Sequence, residues 1–239
     1  MKTRWSELQD QESCVPGSGC VKPLGYKIMQ TEKVFMLPAL ASTIEKARKL
    51  EIREVRKEVL EPLIEYIQSK TDQRKDVNLI FICTHNSRRS QFVQIWAQTA
   101  ADYFGTRANC YSGGVEVTAF NDRAVESIKR SGFRVLSKGD TNPVYIVFTS
   151  DDNDEPVSAF SKLFDDPINK ADQFAAVMTC SHADENCPFI PGTEKRIPVR
   201  YNDPKEFDGS PLEAEKYDER SMQIASEMFY VFSNIKVNK

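Results

Sequence analysis

Hydrophobic and polar positions along the 239-residue chain follow alternating strand-like and helix-like patterns. A run at 77–82 that is apolar except for Asn78 predicts a buried β-strand, and apolar side chains on one side of 90–104 predict a helix. Shorter apolar runs predict further strands at 109–112, 133–136, 144–149 and 174–179. Strands that alternate with helices indicate a parallel sheet covered by helices on both faces.

Boundary residues predict where several helices begin and end. Asn121 is suited to cap the start of a helix, and Gly132 is suited to end it. Ser210, which is followed by a proline, predicts the start of a last helix that runs to about Phe232. Residues 156–164 predict a further short helix.

The first third of the chain does not follow the alternating pattern. Residues 1–33 mix Gly, Pro and polar positions without periodicity, which predicts a disordered or loosely held tail. Residues 34–75 predict a helical extension, because Ser42 to Glu45 has the sequence of a capping box and apolar positions recur at helical spacing after it. Pro62 is expected to kink or divide this extension.

Composition excludes several classes of protein. The formal net charge is −3, so the chain lacks the overall basic surface that nucleic-acid binding requires. No stretch approaches the roughly 20 apolar residues that span a bilayer. Six cysteines are too few, in a chain of this length, for a disulfide-stabilised scaffold. A chain whose chemistry uses a thiolate belongs in a reducing compartment, so we expect a cytoplasmic protein without nucleic-acid or membrane partners.

Cys83 ends the apolar run at 77–82 and is the candidate nucleophile. The following loop can turn its backbone N–H groups around a tetrahedral oxyanion, towards which the start of the next helix also points. Arg89 offers a charged fork for two oxyanion oxygens. This field favours the thiolate form of Cys83, to which Ser90 can donate its hydroxyl. The predicted oxyanion loop consists of Thr84, His85, Asn86, Ser87, Arg88, Arg89 and Ser90. Alternatively, Cys83 is only a small hydrophobe that ends a buried strand.

Two more cysteines form a second candidate cluster. Cys180 follows the strand-like run at 174–179, so it too can emerge at the carboxyl edge of the sheet, where parallel sheets bind ligands. Cys187 lies seven residues further on, past a polar stretch. A nucleophilic thiolate with two further cysteines on one loop has the groups for a disulfide relay. These cysteines could also be simply buried, form a static disulfide, or bind zinc with His182, although no fourth zinc ligand is evident.

Asp203 is the candidate general acid, because cleavage of an oxyanion ester requires protonation of the leaving alkoxide. It lies sixteen residues after Cys187 and precedes a proline. Asp166 also precedes a proline, but it lies in a polar segment before the Cys180 strand, so we expect it in a loop. Either Asp-Pro pair could be a simple turn.

From Asn78 to about Phe232 the chain resembles the low-molecular-weight protein tyrosine phosphatase superfamily, and more closely its thioredoxin-coupled arsenate reductases. Residues 78–90 are similar to the nucleophile loop of the superfamily, and residues 202–204 to its acid loop. Residues 180–187 are similar to a redox loop that the reductases carry. The resemblance implies, for residues 76–239, a three-layer α/β/α sandwich with a central parallel four-stranded sheet, preceded by the N-terminal helical extension.

The resemblance implies one of two activities, neither of which uses a metal or cofactor. In an arsenate reductase, Cys83 attacks arsenate held by Arg89 and the loop amides. Cys180 then attacks Cys83, and arsenite leaves. Cys187 attacks Cys180 in turn, and thioredoxin reduces the resulting Cys180–Cys187 disulfide. In a phosphatase, Cys83 forms a phosphocysteine, with Asp203 as acid and then base. A non-catalytic oxyanion or redox sensor is a third possibility.

The chain departs from the superfamily at a few positions. His85 stands where the family has Gly, and the tight loop is expected to need a positive φ there, which His tolerates better than most residues. Arg88 stands where a second Cys is common and adds charge near the anion. Lys205 follows the Asp-Pro pair where phosphatases usually carry Tyr, which favours the reductase. Most of 137–171 has no counterpart in the resemblance.

Overall fold

The computed structural model describes residues 36–152, 155–169, 172–186 and 190–237. Its helices are α1 (Pro38–Lys49), α2 (Glu54–Asp72), α3 (Arg89–Phe104), α4 (Asp122–Arg130), α5 (Ser181–Asn186) and α6 (Glu213–Ser233). Its strands are β1 (Val77–Cys83), β2 (Ala108–Gly114), β3 (Arg134–Lys138), β4 (Val144–Phe148), β5 (Val157–Ala159), β6 (Phe174–Met178) and β7 (Thr193–Pro198). Short 3₁₀ turns cover Pro167–Asn169 and Pro204–Phe207.

The central sheet has four parallel strands in the order β2-β1-β6-β7. On one face, alternate β1 side chains such as Leu79 and Phe81 join a large apolar core with α1, α2, α3, α4 and α6. On the other face, Ile80 and Ile82 pack with Ala183 of α5. This arrangement confirms the predicted three-layer sandwich, in which the second helical layer is short.

The fourth parallel strand, β7, is not among the predicted strands. Its sequence is largely polar, and Ile197 is its one buried residue. Because β7 lies at the edge of the sheet and pairs only with β6, it does not need the continuous apolar run that marks a central strand.

The strands predicted at 133–136 and 144–149 exist as β3 and β4, but they lie outside the parallel sheet. They pair antiparallel and form a separate three-stranded sheet with β5. The helix predicted at 156–164 is therefore wrong, because this segment contains β5. Short apolar runs do not distinguish a parallel from an antiparallel partner, which is why the pattern alone misplaced them.

The N-terminal helices differ in detail from the prediction. α1 begins at Pro38, which suits the first turn of a helix, so the capping box predicted at Ser42 is wrong and lies inside α1. Pro62 lies inside a continuous α2 and does not divide it. Asn121 caps α4 by accepting a hydrogen bond from the Arg123 amide, as predicted. The division of the chain at 33/34 and 75/76 stays a prediction, and the tail at 1–33 lies outside the described residues.

No helix within the described ranges combines the length and the apolar character needed to cross a membrane.

Candidate active site

The sheet brings two cysteines to the same edge. Cys83 is the last residue of β1, and Cys180 lies two residues beyond the end of β6. β1 and β6 are parallel neighbours, with Ile82 opposite Met178. Both cysteine residues are buried, at 4% and 1% exposure.

Ser90 connects the nucleophile to the loop. The Ser90 Oγ lies 3.0 Å from the Cys83 Sγ and accepts a hydrogen bond of 2.8 Å from the Asn86 side-chain amide. Because the Ser90 oxygen already accepts from Asn86, its own hydroxyl proton can point to the sulfur. The geometry therefore allows Ser90 to donate to a thiolate at Cys83.

The carbonyl groups of residues 84–88 in the loop are all hydrogen bonded to groups outside the loop. Their donors are backbone and side-chain groups of Val115, Glu116, Thr118, Ser161, Gln91, Asn121 and Phe92. Within a trans peptide unit, the N–H and C=O groups point in opposite directions. Because the carbonyls of residues 84–88 are anchored in this way, we expect the N–H groups of 85–89 to point to the other side of the backbone, as the predicted oxyanion loop requires.

The left-handed residue of the loop is Asn86, with a φ of 47°, so the positive φ expected at His85 is wrong by one position. Asn tolerates this region well. The fully buried Asn86 side chain also accepts a hydrogen bond of 3.1 Å from the Lys162 amide. Neighbouring Gly114 leaves room for this turn, because a Cβ there would come within 2.9 Å of the Asn86 nitrogen.

Asp203 pairs with both loop arginines. Its Oδ2 lies 2.7 Å from Arg89 Nη2, and its Oδ1 accepts a hydrogen bond of 2.8 Å from Arg88 Nε. Burial by itself raises the pKa of the Asp203 carboxyl, but Arg89 and Arg88 outweigh it and hold that pKa below its usual range. An oxyanion that binds Arg89, as the sequence predicts, would therefore have to share it with Asp203.

Arg89 retains donor capacity for such an anion. Its Nη1 donates to the Tyr201 carbonyl at 3.1 Å, whereas its buried Nε has no hydrogen-bond partner among the described residues. A buried donor without a partner is costly, and a bound oxyanion would satisfy it. Asp166, by contrast, accepts from the Ile168 amide at 3.0 Å in a surface turn, consistent with a loop position.

Cys180 contacts the nucleophile loop directly. Its Sγ lies 3.5 Å from the Thr84 Oγ1 and accepts a hydrogen bond of 3.4 Å from the Ala183 amide. The same Thr84 hydroxyl lies 3.3 Å from Nδ1 of His182. Cys187 lies outside the described residues, so its place in the site stays a prediction. In the part of the chain that the structure describes, no group of three or more His, Cys, Asp or Glu side chains could hold a metal ion.

The short helix α5, which follows Cys180, packs Ala183 into the core and is tied to β7 through Asp184, whose backbone carbonyl also accepts a hydrogen bond from Arg196. Asp184 accepts hydrogen bonds of 2.9 Å from Arg196 Nε and 2.9 Å from Arg200 Nε. Burial alone raises the pKa of Asp184, but Arg200 and Arg196 reverse this effect and hold it below its usual range. The carboxylate thus stays ionised and ties α5 to the segment around β7.

Comparison with known proteins decides the family. An arsenate reductase of Brevibacillus brevis is 32% identical over 126 residues, which cover 53% of this chain and 75% of that protein. An arsenate reductase of Staphylococcus saprophyticus is also 32% identical over 126 residues, with 53% and 77% covered. The chain belongs to the family of arsenate reductases and low-molecular-weight protein tyrosine phosphatases. It is an enzyme of one of these two types.

No protein-family model matches the chain. A solved structure, the low-molecular-weight protein tyrosine phosphatase of T. tengcongensis, aligns with a TM-score of 0.43 and 20% identity over 64% of this chain and 95% of that one. This likeness is too low to bear on the assignment, which rests on the curated reductases.

A cleft of about 440 Å³ opens beside the nucleophile loop of this enzyme. Loop residues His85, Ser87 and Arg88 form one wall. Other lining residues are Thr118, Ala119, Phe120, Asn121, Asp122, Asp140, Thr141, Pro143 and Lys205. The cleft has room for a group larger than a single oxyanion, and it carries charges of both signs.

The segment 137–171, which the resemblance left unexplained, supports the loop. Ser161 Oγ donates to the His85 carbonyl at 2.8 Å, and the Lys162 amide anchors Asn86. The Lys162 side chain is buried over the Phe160 ring, and its Nζ has no hydrogen-bond partner in the described ranges. Burial lowers the pKa of Lys162 to about 8. Sequence reasoning missed both residues, because nothing in their local pattern marks a contact with loop residues 76 positions earlier.

Proposed function

We propose that this enzyme reduces arsenate through a relay of Cys83, Cys180 and Cys187, with thioredoxin as the final reductant. The observation that supports this most is the 3.5 Å contact between Cys180 Sγ and Thr84 Oγ1, next to the nucleophile. Ester hydrolysis needs no second thiol at the loop. A second buried cysteine in this position is therefore explained best if it reacts with Cys83.

In the first step, arsenate binds between the loop N–H groups and Arg89, and the Cys83 thiolate attacks the arsenic. An S–As bond forms and one arsenate oxygen leaves as water once it is protonated. The bound anion draws Arg89 away from Asp203, which weakens the interaction that keeps the Asp203 carboxyl ionised. The pKa of Asp203 then rises, which fits it to supply that proton.

In the second step, the Cys180 thiolate attacks the Cys83 sulfur. The S–S bond forms, the S–As bond breaks, and its electron pair stays on the arsenic, which leaves as arsenite. Neighbouring strands lie roughly 5 Å apart, and disulfides join Cα atoms roughly 4.4–6.8 Å apart. Cys83 ends β1, and Cys180 lies just beyond the same end of the neighbouring strand β6. We therefore expect the two cysteines to form this bond with little movement of the backbone.

In the third step, Cys187 attacks Cys180, and the new disulfide passes to thioredoxin. The six-residue helix α5 separates these two cysteines in sequence and has to open for the exchange. Its polar anchor is the pairing of Asp184 with Arg196 and Arg200, which water can replace at modest cost because both arginines are partly exposed.

Phosphomonoester hydrolysis is the second candidate function, and the cleft beside the loop favours it. A volume of about 440 Å³ can hold the organic group of an ester, whereas arsenate needs only the loop. In this reaction Cys83 forms a phosphocysteine, and Asp203 acts as acid and then as base.

One preparation assayed for both reactions distinguishes the candidates. We expect arsenite release with thioredoxin, thioredoxin reductase and NADPH, and we expect Cys83→Ser to abolish it together with any aryl phosphate hydrolysis. Cys180→Ser should abolish arsenite release alone. Cys110→Ser is a matched control that should change neither, because Cys110 is buried in β2, where burial raises the pKa of its thiol well above the ordinary value.

Arsenite release that survives Cys180→Ser would contradict the relay. Ester hydrolysis without arsenite release would establish the phosphatase instead. A protein with neither activity that still binds arsenate or phosphate would be the non-catalytic sensor.

A further inference from the structure

Cys180, Thr84 and His182 form a continuous chain of polar contacts. The Thr84 Oγ1 lies 3.5 Å from the Cys180 Sγ on one side and 3.3 Å from the His182 Nδ1 on the other. The Ala183 amide donates to the Cys180 sulfur at 3.4 Å. Since this N–H already approaches the sulfur, the thiol proton of Cys180 can point to Thr84.

We infer that His182 accepts the thiol proton of Cys180 through the Thr84 hydroxyl, and so prepares Cys180 for its attack on Cys83. The inference rests on the proposed reductase function, in which Cys180 has to react as a thiolate. His182 acts through Thr84 and touches no reacting atom, so it is a positioning residue for proton transfer.

Burial explains why Cys180 needs such a path. The residue is 1% exposed, so bulk water has little access to take its proton, whereas His182 is exposed and can pass the proton on to solvent. For this transfer, the thiol donates to the Thr84 hydroxyl, and that hydroxyl donates to Nδ1 of a neutral His182. After transfer, Thr84 and the Ala183 amide both donate to the thiolate, which stabilises it.

Several charged groups lie around the Cys180–Thr84–His182 contacts. Arg200 lies within electrostatic range of Cys180, and it pairs with Asp184, as does Arg196. On the loop that carries Thr84, His85 lies 3.1 Å from a carboxylate oxygen of Glu116. Glu185 adds a negative charge near Arg200. Among the titratable groups named above, none is in hydrogen-bond contact with the Thr84 hydroxyl in the described part of the chain, whereas His182 is.

The Cys180 proton passes to the Thr84 oxygen while the original Thr84 proton passes to Nδ1 of His182, which becomes an imidazolium. The Cys180 electron pair forms the S–S bond with Cys83. The electron pair of the S–As bond reduces As(V) to As(III), and the imidazolium releases its proton to water.

The test measures the rate at which the Cys83–Cys180 disulfide forms in a single turnover with arsenate. The parent protein carries Cys187→Ser, and the reaction is stopped with acid at successive times and at several pH values. We expect His182→Gln to slow this step by about 10²-fold near neutral pH, as loss of general base catalysis does. The rates of parent and variant should converge at alkaline pH, where hydroxide deprotonates Cys180 directly. A merely structural role would slow the reaction equally at every pH.

Thr84 provides a matched pair of variants. Thr84→Ser keeps the hydroxyl and should retain the pH profile of the parent, whereas Thr84→Val removes it and should reproduce the profile of His182→Gln. Alkylation of Cys83 by iodoacetamide, and its protection by arsenate, should be unchanged in His182→Gln. Equal rates for parent and His182→Gln, or an equal loss at every pH, would overturn the role of His182 in proton transfer but not the disulfide relay. A parent that forms no disulfide would overturn the proposed function, and the role of His182 with it.

Discussion

The two cysteines at the edge of the sheet are held in contrasting ways. Around Cys83, the carbonyls of residues 84–88 are all hydrogen bonded, and the buried Asn86 side chain links Ser90 to Lys162. After Cys180, the chain forms a helix of six residues whose polar anchor is Asp184. One segment is fixed by hydrogen bonds from several directions. The other packs the buried Ala183 under the sheet, and its ion pairs in the described residues converge on Asp184.

The difference matches the two tasks that the cysteines have in the proposed relay. An oxyanion site works best when its donors are already in place, because no reorganisation is then needed during the reaction. A relay thiol has to change partners, which requires a segment that opens at low cost. If the proposed relay operates, the carboxyl edge of one parallel sheet supports a rigid nucleophile and an adjacent segment that can rearrange.

The largest predicted effect concerns the acid beside the fixed loop. Asp203→Asn should lower aryl phosphate hydrolysis by ~10²-fold or more, because the leaving alkoxide loses its proton donor. Asp166→Asn, which alters the other Asp-Pro pair, should leave the rate near that of the parent. Equal losses in steady-state assays of the two variants would remove the distinction between these carboxylates.

The next predicted effect concerns the free energy of unfolding, which the buried amine of Lys162 beside the fixed loop should lower. The backbone of Lys162 anchors Asn86, while its amine is buried with a pKa of about 8 against an ordinary value of 10.5. The folded state therefore binds fewer protons than the unfolded state between these values, so the free energy of unfolding should rise with pH across this window. Lys162→Met should remove this rise and stabilise the protein at neutral pH by about 3 kcal/mol.

Denaturant unfolding at several pH values tests this effect. Lys138→Met, which replaces an exposed lysine on β3, is the matched control and should change the free energy of unfolding little at any pH. A Lys162→Met variant that is less stable than its parent, or that keeps the alkaline rise, would show that the buried amine is compensated in the folded state.

The smallest predicted effect concerns the lightly anchored segment. Asp184→Asn should speed amide hydrogen exchange in α5 by roughly tenfold, in line with loss of a partly exposed ion pair, and leave exchange in α3 unchanged. Glu185→Gln removes a carboxylate from the same helix and serves as the control. Exchange in α3 that accelerates as much as exchange in α5 would mean that the two regions open as one unit.

Acidification of the parent should reproduce the effect of Asp184→Asn. Because the pKa of Asp184 is held below its usual range, the pair is intact above the unfolded pKa and is lost as pH falls through the folded value. The opening of α5, measured by exchange after correction for the intrinsic pH dependence, should increase across that acidic window.

The sequence predicts the centre of this site because a local pattern encodes it. Apolar runs mark β1 and β6, and a cysteine follows each of them, so both cysteines come to one edge of the sheet. Parallel strands emerge at the same edge, which is the property that makes such a prediction possible. The arginine of the loop and the capping Asn121 are predictable for the same reason.

The parts that sequence reasoning misses depend on contacts between distant segments. β7 has a polar sequence and is a strand because β6 offers it a free edge. The left-handed residue is Asn86 rather than His85, because hydrogen bonds from Ser161 and Lys162 fix where the loop turns. The pairing of Arg88 with Asp203 joins residues 115 positions apart. None of these contacts has a local signature.

In the proposed function, Cys83 and Cys180 form a disulfide with each other when arsenate is reduced. The most direct measurement treats the Cys187→Ser variant with arsenate under anaerobic conditions, blocks free thiols, and maps disulfides by mass spectrometry without reduction. We expect a Cys83–Cys180 disulfide, arsenite release that stops after one turnover, and a free Cys110. Arsenate that is recovered unchanged, with Cys83 and Cys180 both alkylated as free thiols, would contradict it.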